Sequence, residues 1–82
     1  MQTIYLDADR LKSGEDVHRA LKLLLDLPDY YGHNADALYD CLSERTEPVR
    51  LTLRNAGNED VAATLSKVCR VIEDLDGEII RL

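Results

Sequence analysis

Hydrophobic and polar positions along the chain alternate between the period of a strand and the period of a helix. Residues 3–6 form a short β-prone run that ends at Asp7, and they predict the first strand. Val49–Arg54 places an apolar side chain at every second position, which is the pattern of a strand with one buried face. Residues 78–82 predict a third strand at the end of the sequence.

Three other segments carry their apolar residues at helical spacing. The first follows a capping-box pattern that opens at Ser13, and its helix is expected to reach about Asp26. The second begins after Asn34, a residue that caps helices well, and it is expected to end near Glu44. The third has one apolar stripe, and Gly77 stands where a C′ glycine would end it.

The elements therefore follow the order β-α-α-β-α-β in a chain of 82 residues. Strands that alternate with helices pair in parallel through right-handed crossovers. The sequence predicts an α/β fold with a small three-stranded parallel sheet packed with helices, in one domain over residues 1–82. No apolar run exceeds three residues, so neither a transmembrane helix nor a signal peptide is expected.

Charge is concentrated in one part of the chain. Ten Lys and Arg residues stand against 16 Asp and Glu residues, which gives a net charge of −6. Residues 26–47, the acidic segment, hold six of the acids and only one base, Arg45. This balance disfavours nucleic acid or an anionic membrane as a direct partner, and it permits a basic protein. An ordinary solvated helix surface is the alternative explanation for the acidic segment.

The second predicted helix carries acids at positions where they weaken it. Asp36, Asp40 and Glu44 follow one another at intervals of four, so their like charges repel. Asp40 lies inside the helix, where Asp is a poor helix former, and no base lies three or four positions away. Asp36, Tyr39, Asp40 and Ser43 fall on one face. Local violations of this kind tend to mark function, although a solvated surface aspartate explains Asp40 equally well.

Aromatic residues precede this helix. Tyr30 and Tyr31 are half of the four tyrosines in a chain without Trp or Phe. Exposed tyrosine is enriched at protein interfaces, and one member of the pair is expected to pack inward instead. Gly32 is expected to adopt a positive φ or to allow another backbone to approach.

The string Leu-Pro-Asp-Tyr-Tyr-Gly-His-Asn-Ala-Asp-Ala-Leu-Tyr-Asp-Cys-Leu at residues 27–42 closely resembles the core segment of the barstar family. The resemblance extends over the chain and weakens at its ends. It implies a barstar-like fold and an intracellular protein inhibitor, not an enzyme, without cofactor or metal. The implied partner is a secreted, guanyl-specific microbial ribonuclease of the barnase type, bound in a 1:1 complex. A bacterial cytoplasm, in which both cysteines stay reduced, is the expected location.

The resemblance also implies a binding site. In the family, the loop and the second helix plug the ribonuclease active site, and the aspartate that matches Asp40 enters the phosphate pocket. The other residues expected to bind the partner are Tyr30, Tyr31, Gly32, Asn34, Ala35, Asp36, Tyr39, Ser43 and Asp76. Tyr39 stands where the family has a tryptophan, and the family has another tryptophan near the position of Arg45. A cation at the rim should weaken attraction to a basic enzyme, or it should meet an acid on the true target.

Three alternatives remain at this level. The chain could be an immunity protein against a toxin that is not a ribonuclease. It could also bind a divalent metal weakly through Asp36, Asp40 and His33. The same residues could form an acid/base pair with a nearby imidazole, but no nucleophile, phosphate-binding or zinc motif accompanies them.

Overall fold

Three strands and three helices make up the fold in the predicted order β-α-α-β-α-β, and a computed structural model describes all 82 residues. The strands are β1 (Gln2–Asp7), β2 (Val49–Arg54) and β3 (Glu78–Arg81). They form one parallel sheet in the order β1-β2-β3. The helices are α1 (Gly14–Leu24), α2 (Ala35–Ser43) and α3 (Glu59–Asp74). The predicted α/β class and parallel pairing are confirmed.

A short 3-10 helix, Ala8–Arg10, follows β1 and was not expected from the sequence. The Asp7 carboxylate caps it by accepting a hydrogen bond from the Asp9 N–H. Asp7 also accepts a hydrogen bond of 2.9 Å from the Asn55 amide. These two bonds, with that to Asn55 the stronger cause, lower the pKa of Asp7.

All helices lie on one face of the sheet. Because the strand order follows the chain, two crossovers of the same hand must pass over the same face. Ile4, Leu6 and Leu51 are buried on that face, whereas Tyr5 and Ile80 are exposed on the other. Most parallel sheets are covered on both faces, so the bare face of this sheet is an exception.

The three helices also run in the same direction. Gly14, Asn34 and Asp60, which lie at the amino ends of α1, α2 and α3, line one open pocket. The Asp60 carboxylate accepts a hydrogen bond of 2.7 Å from the Gly14 N–H and ties two of these ends together. At the opposite end, Ser43 of α2 and Leu75 after α3 line a common cleft. The carboxyl ends of the helices are therefore gathered at the edge of the sheet where the strands begin.

Two helices end in aspartates with left-handed backbone. Asp26 follows α1 with φ +50°, and Asp76 follows α3 with φ +65°. After α3, the Gly77 N–H donates to the Ile72 carbonyl at 2.8 Å, which completes a Schellman motif. The left-handed residue is thus Asp76, and the assignment of that role to Gly77 was wrong. Gly77 is needed for space, because a Cβ there would collide with the Val49 carbonyl oxygen.

The core lies between the sheet and the helices and contains 19 buried apolar residues. Leu38 and Leu42 bring α2 into this core, as its predicted apolar face requires. His18 on α1 is the one buried polar side chain. None of the helices combines the length and the apolar character needed to cross a membrane.

Candidate functional site

Helix α2 presents a polar ridge to solvent. It begins at Asn34, whose side-chain oxygen accepts a hydrogen bond of 2.8 Å from the Ala37 N–H. Leu38 and Leu42 anchor its inner face, so the opposite face must point outward. That outer face, which we call the binding ridge, consists of Asp36, Tyr39, Asp40 and Ser43, and all four are exposed.

An open groove lies on each side of this ridge. The groove against α3 is lined by Asp36 and Tyr39 on one wall and by Lys67 and Arg70 on the other. The second groove lies against the segment that follows α1, and it is lined by Asp26, Leu27, Pro28, Tyr30, Cys41, Glu44 and Arg45. The ridge is therefore convex, a shape suited to entering a cleft of another protein and unsuited to enclosing a small substrate.

The two tyrosines before α2 have different environments. Tyr30 is 83% exposed, whereas Tyr31 is 5% exposed. The Tyr31 hydroxyl lies 2.6 Å from His18 Nδ1. Burial raises the pKa of Tyr31 and, as the largest cause, lowers the pKa of His18. Tyr30 is thus available for direct contact, and Tyr31 holds the loop to the core.

Between these tyrosines and α2, Gly32 and Asn34 are exposed, and Ala35, the first residue of α2, is half-buried. A positive φ, one of the two expectations for Gly32, occurs instead at His33, with φ +52°. The atoms near Gly32 belong to side chains, so no other backbone approaches it closely. His33 Nδ1 lies 2.6 Å from a Glu15 carboxylate oxygen on α1. The contact between His33 and Glu15 could not be predicted from local sequence patterns, because the two residues are 18 positions apart.

Asp76 is far from the ridge in sequence but lies at the same end of the molecule as Ser43. Both residues line the cleft between the carboxyl ends of α2 and α3. The fold thus brings the last of the predicted binding residues to the edge of the ridge.

Each helix is followed at its carboxyl end by an exposed acid. Asp26 stands at C′ of α1, Glu44 caps α2, and Asp76 stands at C′ of α3. A helix carboxyl end carries a partial negative charge, so an acid there is unfavourable for folding by a few tenths of a kcal/mol. Because the helices are parallel, the three unfavourable sites lie at one end and their negative potentials add.

Arg45 is held by contacts within the protein. Its guanidinium is half-buried and donates a hydrogen bond of 2.9 Å to the Gln2 side chain. It also donates to the carbonyl of Leu25, the C-cap residue of α1. Arg45 therefore joins the end of α1 to β1 and partly offsets the negative charge at that helix end. The expectation that a cation here weakens attraction to a basic enzyme, or meets an acid on the target, stays a prediction.

The cysteines and the hypothetical metal ligands are not gathered into a site. Cys41 and Cys69 are both free thiols, and burial raises the pKa of each. No group of three or more His, Cys, Asp or Glu side chains is placed to hold a metal ion. His33, one of the residues considered for such a site, contacts Glu15.

The fold and the ridge define a small acidic α/β domain with an exposed polar helix face. Known sequences place it more closely. The family described as "Barstar (barnase inhibitor)" matches residues 1–79. A protein of Bacillus subtilis (strain 168) named "Putative ribonuclease inhibitor YrdF" is 37% identical in an alignment 82 residues long, gaps included, which covers 96% of this chain and 90% of that protein. The chain belongs to the barstar family, and its role is that of a barnase-inhibitor-like protein, not of an enzyme.

Proposed function

We propose that the chain inhibits a secreted, guanyl-specific bacterial ribonuclease by inserting the binding ridge into its active site as a 1:1 complex. The observation that carries this proposal is Asp40. Its carboxylate is exposed at the middle of the ridge, and it makes no hydrogen bond or ion pair within the protein. Asp40 therefore has its full hydrogen-bonding capacity available to a partner.

The chemistry of RNA cleavage supports this choice of partner. An active site that cleaves RNA must stabilise phosphate, which requires Arg, Lys or protonated His side chains. A carboxylate held on a helix forms charge-assisted hydrogen bonds with such groups and offers no phosphodiester bond to cleave. In this proposal, Asp40 takes the place of the substrate phosphate.

The surroundings of Asp40 supply the remaining contacts. Tyr39 lies on the ridge at 43% exposure, and Tyr30 precedes it in the loop at 83% exposure. Tyrosine gives a large contact area for a small loss of side-chain entropy. Asp36 and Asp76 extend the negative surface and would steer a basic enzyme toward the ridge. The proposed setting is the cytoplasm, where the inhibitor would bind the ribonuclease before its secretion.

The proposal is tested by titrating the protein into barnase during cleavage of a guanosine-containing dinucleotide. We expect activity to be lost at a 1:1 ratio and to be restored when the inhibitor carries Asp40→Ala. The matched variant Glu73→Ala removes another exposed helical acid and should inhibit like wild type.

A panel of secreted bacterial ribonucleases extends the same titration. If the protein inhibits another member of the panel but not barnase, the ribonuclease class stands and the barnase type is wrong. If it inhibits none of them, the proposed function is wrong, and an immunity role against another kind of toxin takes its place.

A further inference from the structure

The segment that joins α1 to α2 runs back along one face of α1. Three contacts follow its path. From each contact to the next, the residue on the segment is closer to α2, and its partner on α1 is about one turn closer to the start of that helix. Lys22 Nζ lies 3.7 Å from Asp29, His18 lies 2.6 Å from Tyr31, and Glu15 lies 2.6 Å from His33. Positions 15, 18 and 22 share one helical face. These three contacts determine where Tyr30, Gly32 and Asn34 stand.

The three contacts differ in strength. Asp29 is fully exposed, so its ion pair with Lys22 contributes little. The contact between His18 and Tyr31 is buried and belongs to the core. The contact between His33 and Glu15 is the last one before α2 begins. Its imidazole is 26% exposed and its carboxylate 46%, so it is partly shielded from water.

His33 is held from several sides. Its ring lies 5.2 Å from the Tyr31 ring and 6.3 Å from the His18 ring, measured between centroids. Arg19 on α1 lies 3.7 Å from the same Glu15 oxygen. Asp60 and Lys67 on α3 line the pocket beside the imidazole, and α2 contributes no charged side chain to that pocket.

The backbone at His33 needs this support. A φ of +52° is unfavourable for a residue with a Cβ, and it persists where surrounding contacts enforce it. The next residue, Asn34, caps α2 through the Ala37 N–H. A change of backbone at His33 would therefore displace the cap and, with it, the start of the helix that carries the binding ridge.

We propose that His33 is a positioning residue whose imidazole, bonded to the Glu15 carboxylate, clasps the loop over residues 29–34 to α1. The clasp sets the loop in the shape that displays Tyr30 and starts α2 at Asn34. Its effect on inhibition rests on the proposed function, whereas its effect on the loop does not.

Hydrogen exchange of the free protein tests the clasp without any partner. The reporters are the Tyr31 amide, which donates to the Pro28 carbonyl at 2.9 Å, and the Ala37 amide, which donates to the Asn34 side chain. We expect Glu15→Ala and His33→Asn to speed their exchange about three- to tenfold, the range of one partly exposed charged contact. Asn is chosen at position 33 because it tolerates left-handed backbone.

A rescue variant and a control separate positioning from general stability. Glu15→Gln keeps an oxygen that accepts from the imidazole N–H, so it should restore most of the protection lost in Glu15→Ala. Glu78→Ala removes a carboxylate from a contact of the same length, 2.6 Å to Arg50 on the sheet, and should leave both reporters unchanged. The Leu53 amide reports global opening and should not change in any variant. Equal reporter exchange in wild type and Glu15→Ala would overturn the clasp.

Titration of the same variants into barnase keeps the two proposals distinct. If exchange changes and inhibition weakens by a similar factor, both stand. If exchange changes while wild type does not inhibit any ribonuclease, the clasp stands and the proposed function fails. If exchange changes while inhibition is unaltered, the clasp shapes a loop that the partner does not use, and its proposed role in binding is wrong.

Discussion

Asp40 stands four residues from both Asp36 and Glu44, with its carboxylate in solvent. Alanine is the better helix former and removes both repulsions, so Asp40→Ala should leave the free energy of unfolding unchanged or raise it by a few tenths of a kcal/mol. In a complex, the same change would leave the partner's cations unpaired and should weaken binding by about 2–5 kcal/mol. Urea unfolding and titration against the ribonuclease measure the two effects, and a clear loss of stability would make Asp40 a structural residue.

The choice of control for this variant depends on the structure. Asp7 lies outside the acidic segment and would be the natural control from the sequence. Its carboxylate, however, caps the 3-10 helix and binds Asn55, so Asp7→Ala should destabilise the fold. Glu73 is an exposed acid of α3 without a hydrogen-bonded partner, and Glu73→Ala is the better control.

His18 makes stability depend on pH. Burial, with a smaller contribution from His33, lowers the pKa of His18 below its ordinary value of 6.5 in the folded chain. The unfolded chain therefore binds the proton first as the pH falls, so stability is greatest above about pH 6.5 and declines below it. His18→Gln should reduce the slope of unfolding free energy against pH between about pH 5 and 7. An unchanged slope in urea titrations would exclude His18 as the cause.

At the level of the helices and strands, Arg45 joins the end of α1 to β1. Arg45→Met keeps much of the side-chain volume but removes the bonds to Gln2 and to the Leu25 carbonyl. We expect a loss of about 1–2 kcal/mol in unfolding free energy. Arg54→Met is the control, since Arg54 is exposed and donates no side-chain hydrogen bond, and it should stay within about 0.5 kcal/mol of wild type. Equal unfolding free energies of the two variants would contradict the role of Arg45 in joining α1 to β1.

The left-handed aspartates at the helix ends lead to a prediction in which folding and binding change in opposite directions. Asp76→Gly removes backbone strain at φ +65° and an acid at a helix carboxyl end. It should therefore raise the free energy of unfolding by about 0.5–1 kcal/mol while weakening the complex. Asp26→Gly, at the matching position after α1, should give the same gain in stability. A loss of stability in both variants, measured by urea unfolding, would show that these aspartates are favourable where they stand.

The order, type and approximate bounds of the helices and strands follow from local patterns, which is why the sequence predicts them. The details at their ends depend on tertiary contacts. Gly77 carries the sequence signal for left-handed backbone, but Asp76 is the residue that adopts it. A glycine is needed at position 77 because any side chain there would collide with the Val49 carbonyl oxygen of the neighbouring strand. A charged residue that follows a helix is expected to be exposed to solvent. Arg45 is half-buried instead, because its guanidinium donates to the carbonyl of Leu25, twenty residues earlier at the end of α1.

In the candidate site, too, local spacing predicts some features and tertiary contacts determine the others. The spacing of Asp36, Tyr39, Asp40 and Ser43 is enough to place them on one exposed face, as the structure has them. Local spacing does not show which of the two tyrosines is buried, because this depends on a tertiary contact. The Tyr31 hydroxyl bonds to His18, which lies 13 residues earlier in the chain. Whether these residues bind a partner stays a prediction.

For the whole molecule, the parallel helices and the acidic segment concentrate negative charge at one end. The chain has a net charge of −6, and Asp26, Glu44 and Asp76 lie at the negative ends of the three helix dipoles. Such a field accelerates encounter with a basic protein and is screened by salt. The association rate with the ribonuclease should fall on the order of tenfold between low and high salt, while dissociation changes little.

Stopped-flow measurement over a salt series checks this expectation. A variant that combines Asp26→Asn, Glu44→Gln and Asp76→Asn keeps the shapes of the three side chains and should show a flatter salt dependence. An association rate that does not respond to salt in wild type would show that the field plays no part in encounter.

The bare face of the sheet has a practical consequence. Tyr5, Thr52 and Ile80 form a row across the three strands, and the whole helical layer separates this row from the binding ridge on α2. A dye, a tether or an attachment to a solid support placed at Thr52 would therefore leave the ridge free to meet its partner. Attachment through this face of the sheet would immobilise the protein in one orientation, for example as the capture element of a ribonuclease sensor.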